Sequence, residues 1–193
     1  MKKMKVKVIV SIGMLSGIAY LLMLLNFPLP IFPNFLLIDF SDLPALMAAL
    51  IFGPIAGILV ELFKNVLNYF MTGSVTGVPV GHIANFVAGL LFILPSYYIY
   101  MKLKTRKGMT FALIIGTITM GVLMSVLNYF VIFPAYTFFL GMEEMSAPAL
   151  RTLVITAILP FNILKGVVMS GIFMLLFIRM QAWIKKQAII KSA

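Results

Sequence analysis

The chain has 193 residues, 63% of them hydrophobic and 10% charged, with no cysteine. Soluble domains carry about 25% charged residues, so this composition excludes an ordinary soluble fold and leaves no room for a separate soluble catalytic domain. The missing cysteines exclude a disulfide framework and thiol chemistry. A net charge of +10 would suit nucleic acid, but its distribution argues for a lipid bilayer and no nucleic-acid partner. Twelve of the fifteen cations form three clusters: Lys2/Lys3/Lys5/Lys7, Lys102/Lys104/Arg106/Lys107 and Arg179/Lys185/Lys186/Lys191. Four of the five acids lie elsewhere, as Asp39/Asp42 and Glu143/Glu144. Basic clusters between long apolar stretches are the positive-inside pattern of a multi-pass membrane protein, facing the anionic cytoplasmic leaflet.

In chain order, a first span is expected at about 5–26, starting inside. Its apolar run, 8–25, is too long for a signal-peptide core and ends in Asn26-Phe-Pro-Leu-Pro30 without a small-residue cleavage site. It reads as a retained span. A loop at 27–40 holds Pro28, Pro30 and Pro33 and does not read as helix. Gly53-Pro54 splits the next stretch into helices at 41–53 and 54–71. A turn-rich outer loop at 72–77 precedes a span at 79–101, which ends in the second basic cluster. The fifth span, 108–133, is expected to stop before Pro134. An acidic outer loop, 134–148, leads to the sixth span, 149–178. The expectation is an all-α polytopic protein with six transmembrane helices, a single membrane domain over 1–193, both termini cytoplasmic, in the plasma membrane. A single crossing over 41–72 would put the second basic cluster outside, so charge supports the split.

Polar groups at membrane depth are costly and mark functional sites by default. Glu61, Lys64, Asn65 and Asn68 share one face of the third helix. They read either as a structural cluster, with Glu61 and Lys64 paired, or as a functional one. Asn162 and Lys165 lie one turn apart in the sixth span, beside Pro160. Lys165 is too deep to reach the interface, so it either pairs with Glu61 or Asp42 or contacts a ligand. Asn85 and Asn128 sit in the outer halves of their spans, at a depth where several such groups can line one outward-facing pocket. His82 reads as a solvated boundary residue and Arg151 as an exposed rim residue. Gly13-Met-Leu-Ser-Gly17 allows close approach of another helix, and a span this poor in polar residues suits docking. Val66-Leu-Asn-Tyr-Phe70 recurs as Val126-Leu-Asn-Tyr-Phe130, too short an echo to establish a duplication.

No G-x-x-x-x-G-K-[ST], H-E-x-x-H or G-x-S-x-G occurs, and there is one histidine. No carboxylate or histidine set has metal-ligand spacing. An enzyme is not expected, nor a metal, and the energy for any uphill transport must come from an ion or a partner.

Asp39-Phe-Ser-Asp-Leu-Pro-Ala-Leu46, Phe52-Gly-Pro54, Glu61-Leu-Phe-Lys-Asn65, the stretch 72–86, Asn128-Tyr-Phe and Pro160-Phe-Asn-Ile-Leu-Lys165 together resemble the riboflavin-binding S components of energy-coupling factor (ECF) transporters, the RibU type. The resemblance runs over about 8–180. It implies six helices with cytoplasmic termini and a vitamin site near the outer face, built from the loop after helix 1 and the outer parts of helices 4–6. It also implies partners, a transmembrane coupling subunit and two cytoplasmic ATPases, which would account for the absent P-loop. Gly13 and Gly17 resemble the surface that meets the coupling subunit. Many relatives have an acid where this chain has His82.

The site chemistry fits riboflavin as a transported ligand, with no cofactor. The flavin's pyrimidine edge presents carbonyl acceptors and an N–H donor, which asparagine amides and a lysine ammonium complement. Asn128, Asn162 and Lys165 are the expected ring-edge contacts, with Asn85 and Asp39 beside them. Leu37, Phe40, Met47 and Val78, with Phe35 and Leu36, are expected as apolar walls. A phosphate carried by the vitamin would want more cations at a helix N-terminus near the flavin site, where only Arg151 is nearby, which favours riboflavin over FMN. The rival readings are an S component for another vitamin or for FMN, and an autonomous ion-coupled carrier using Glu61 and Lys64.

Overall fold

The computed structural model describes residues 6–189, with side chains through residue 181. Lys2, Lys3, Lys5 and Lys191 lie outside the described residues, and so do the side chains of Lys185 and Lys186. Helix α1 is Val6–Leu24 and α2 is Asp42–Phe52; α3 is Pro54–Thr72 and α4 is Val80–Leu103. Arg106–Leu127 (α5) continues through a π-helical stretch, Asn128–Ile132, into α6 (Phe133–Leu140). Ala147–Leu153 (α7) continues through a second π stretch, Val154–Ile158, into α8 (Leu159–Ile189). The described residues thus form six helical rods, an all-α membrane architecture. Four rods are long and apolar enough to cross a bilayer: Val6–Leu24, Val80–Leu103, Arg106–Leu140 and Ala147–Gln181. Helix α3 matches α1 in length, at 19 residues, but its buried polar residues lower its hydropathy.

The three prolines of loop 1, residues 25–41, keep it out of helix. Its only regular structure is a two-residue antiparallel ribbon, in which Phe27 pairs with Ile38 and Pro28 with Leu37. Loop 1 seats on the bundle through Phe32 against Phe161 of α8 and Phe35 against Phe133 of α6, with ring centroids 5.5 and 5.8 Å apart. Gly53 turns the chain between α2 and α3 at φ 99°, a conformation open to glycine and strained for other residues. Pro54 then opens α3 at a position where no amide donor is needed. Ten consecutive α2 residues, Asp42 to Ile51, are buried. Such all-round burial marks a core helix, and α2 packs against α1, α3, α4 and α8.

The expected end of the fifth span before Pro134 is corrected: the helix runs on to Leu140. Each π stretch ends two residues before a proline, Ile132 before Pro134 and Ile158 before Pro160. Proline lacks an amide proton and clashes with the carbonyl four residues back. A locally widened turn absorbs that defect without ending the rod.

Lys102, Lys104, Arg106 and Lys107 flank the α4–α5 turn. Arg106 donates from Nε to Gln181 of α8 at 2.9 Å, so the second basic cluster and the start of the third share one end of the bundle. Loop 1, residues 73–79 and the loop before α7 lie at the other.

Candidate ligand site

The site is assembled around α2, because Asp42 at its first turn and Ser41 and Asp39 just before it enter the core together. Asp39, Ser41, Asp42, Glu61, Lys64 and Lys165 are all at most 4% exposed. The Lys64 ammonium of α3 bonds to the Asp42 carboxylate, donates to Ser41 Oγ at 2.6 Å and lies 2.9 Å from Glu61 Oε2. Ser41 donates through both its amide and its hydroxyl to Asp39. Lys165 Nζ of α8 donates to Asp39 Oδ2 at 3.1 Å and stands 3.8 Å from Asp42 Oδ2. One connected set of charges therefore ties α3, the end of loop 1, the start of α2, and α8. In a low-dielectric interior, charges persist only when paired and hydrogen-bonded, and this set supplies each lysine with carboxylate partners.

The structure answers two questions left open by the sequence. Glu61 and Lys64 do pair. Lys165 pairs with Asp39 and approaches Asp42, and no contact with Glu61 is found among the described residues. The sequence reading missed Ser41 and the Lys64–Asp42 bond. The available signal was that Asp42 and Lys64 lie on consecutive helices whose short connection folds them face to face.

Asn85 of α4 is half-buried, and its amide reaches Asp39 Oδ2 at 3.5 Å, the limit of a hydrogen bond. Asn128 and Asn162 are buried and occupy the fifth and sixth rods, whose π stretches touch. Each donates from Nδ2 to the carbonyl one turn back, Met124 at 2.8 Å and Ile158 at 2.9 Å. No described residue donates to their side-chain oxygens. They are not bonded to the Lys165 cluster. Met47 is buried on α2, Phe40 and Val78 are half-buried, and Leu37 is exposed on the ribbon. Phe40 also packs on Phe27 of loop 1, at 6.4 Å between centroids.

His82 departs from its expected solvated setting. It is half-buried, its Nε2 lies 2.9 Å from Asn68 Oδ1, and its ring meets Tyr69 edge-on. The repeated Val-Leu-Asn-Tyr-Phe places Asn68 and Asn128 inward while Val66, Phe70, Val126 and Phe130 are exposed, but the asparagines have different partners: Asn68 meets Thr72 and His82, and Asn128 donates to the Met124 carbonyl. Gly13 and Gly17 have nothing within 4 Å of where a Cβ would stand, so their face of α1 is open.

The family model for the substrate-specific component of ECF transporters matches residues 7–177. The chain belongs to this family. As an S component it is 54% identical to the riboflavin transporter FmnP of Bacillus subtilis (strain 168), over 95% of this chain and 97% of that one. It is 43% identical to the riboflavin transporter RibU of Staphylococcus aureus (strain TCH60), over 93% of each. A solved structure, described as the S component of a bacterial ECF transporter, superposes with a TM-score of 0.78 at 42% identity, covering 93% of this chain and 98% of that one. These relatives are transporters, in keeping with the absence of catalytic motifs from the sequence.

Proposed function

We propose that this S component captures riboflavin from the extracellular side and delivers it inward with a transmembrane coupling subunit and two cytoplasmic ATPases. The observation that carries this reading is the 54% identity, over nearly the full length of both chains, to a relative named as a riboflavin transporter. The site chemistry supports it. Lys165 retains donor capacity after its bond to Asp39, since an ammonium has three protons. Asn128 and Asn162 retain side-chain acceptors and each a second amide proton. These groups hold the flavin ring edge, with Asp39 and Asn85 behind Lys165. Met47, Phe40, Leu37 and Val78 form the apolar walls, and closure of loop 1 with the 73–79 loop completes the site. Lys64 and Lys165 are already matched to carboxylates, so no spare buried cation awaits a phosphate. Riboflavin is therefore favoured over FMN.

The chain passes through the plasma membrane six times with both termini in the cytoplasm; α2, with 11 residues and buried within the bundle, makes its passage together with the end of loop 1, where non-helical Ile38, Asp39 and Ser41 are buried in protein. Gly13 and Gly17 of α1 form the docking surface for the coupling subunit. Their open face, beside exposed Val10, Met14 and Leu21, suits a neighbouring helix.

The test is uptake of labelled riboflavin into proteoliposomes. Accumulation that requires the coupling subunit, the ATPases and ATP is expected. Accumulation by the isolated chain under an ion gradient would instead establish an autonomous carrier.

A further inference from the structure

Twelve of the fifteen cations cluster in the three basic groups, and Lys64 and Lys165 are buried in the core. Only Arg151 remains, and it is exposed at the opposite end of the bundle from the basic turn. Membrane proteins tend to exclude cations from that side. Among the described residues Arg151 makes no ion pair, and the exposed acids of the preceding loop, Glu143 and Glu144, do not engage it. It lines a groove of about 390 Å³ together with Tyr129, Val154 and Ile155.

The groove lies where the two π stretches, 128–132 and 154–158, run side by side. Its floor is formed by buried Ser125 and Val154, and its outer walls are largely apolar: Val126, Phe130 and Ile155 are 48%, 69% and 53% exposed. It contains none of the residues assigned to the flavin site. An apolar trough in the membrane-facing surface, with one unpaired guanidinium among its lining residues, complements a lipid with a phosphate above an acyl chain. Guanidinium matches phosphate in charge and in fork geometry.

We propose that this groove binds one anionic glycerophospholipid, its phosphate on Arg151 and an acyl chain along Val126, Ile155 and Phe130. The site rests on the membrane reading of the fold and is independent of the transported ligand.

Native mass spectrometry of the detergent-purified full chain tests it, with palmitoyl-oleoyl phosphatidylglycerol and the corresponding phosphatidylcholine added in equal amounts. One phosphatidylglycerol should be retained in preference. Arg151→Gln should weaken that retention about tenfold or more, as for loss of a hydrogen bond to a charged group, and abolish the preference over phosphatidylcholine. Ile155→Trp, which fills the trough but keeps the arginine, should lower retention of both lipids. Both positions are exposed, so melting temperatures should stay at the wild-type value. Equal retention of the two lipids by the wild type, undiminished phosphatidylglycerol on Arg151→Gln, or no effect of Ile155→Trp would each overturn the proposal.

Discussion

Lys64 and Lys165 occupy similar depths and do different work. Lys64 is fully buried, donates to Ser41 and Asp42 and stands in an ion pair with Glu61, enclosed by protein partners on every side that the described residues show. Lys165 has one close carboxylate partner, Asp39, and a longer approach to Asp42. Lys64→Met strands two buried carboxylates and should cost about 3–5 kcal/mol of stability, read as a lower melting temperature in detergent. Adding Asp42→Asn should recover part of that loss; a further drop would show that Lys64 and Asp42 are not coupled. The sequence makes the inward face of α3 legible, since Glu61, Lys64, Asn65 and Asn68 recur at helical spacing. The hydroxyl of Ser41 was not legible, because a serine before a helix ordinarily caps it. Here its side chain makes no cap bond and turns to Asp39 instead.

Glycines divide the elements into closed and open contacts. A Cβ on Gly57 would stand 2.8 Å from Ala49 Cβ and 3.0 Å from the Ala45 carbonyl, so α2 and α3 approach closely only because it is absent. Gly13 and Gly17 meet nothing. Gly57→Leu should therefore destabilise the isolated chain by about 1–3 kcal/mol or more, as overpacking does, with a matching fall in melting temperature. The double variant Gly13→Leu/Gly17→Leu should melt like the wild type yet fail to co-purify with the coupling subunit. Retained co-purification would remove α1 as the docking face. The G-x-x-x-G spacing alone could not separate these cases, because it occurs at Gly13/Gly17, Gly53/Gly57 and Gly77/Gly81 alike. The length of the fifth rod escaped the sequence for a related reason. Proline reports a missing amide, and whether a chain stops there or widens into a π turn depends on the neighbouring rod that packs against it.

For the molecule as a whole, the clustering of charge carried most of the architecture. Hydrophobicity located the rods, Gly53-Pro54 separated α2 from α3, and the basic clusters marked one end. The buried charge set was less legible, since its five ionisable groups come from stretches as far apart as residues 39 and 165. The proposed orientation rests on the same charges and is testable in a chain with no native cysteine. Val75, 92% exposed in the loop after α3, should react as Val75→Cys with a membrane-impermeant maleimide in intact cells. Arg106→Cys should react only after permeabilisation, and the reverse pattern would invert the topology.

The central claim is that a flavin is held by Lys165 and the two inward asparagines. The most direct measurement is titration of riboflavin into ligand-free purified protein, following quenching of flavin fluorescence, for the wild type and Lys165→Met side by side. One-to-one saturable quenching by the wild type is expected, with affinity weakened about tenfold to a hundredfold in the variant, as for loss of a hydrogen bond to a charged group. A wild-type protein that leaves riboflavin fluorescence unchanged, or a variant that binds as tightly as the wild type, would contradict it.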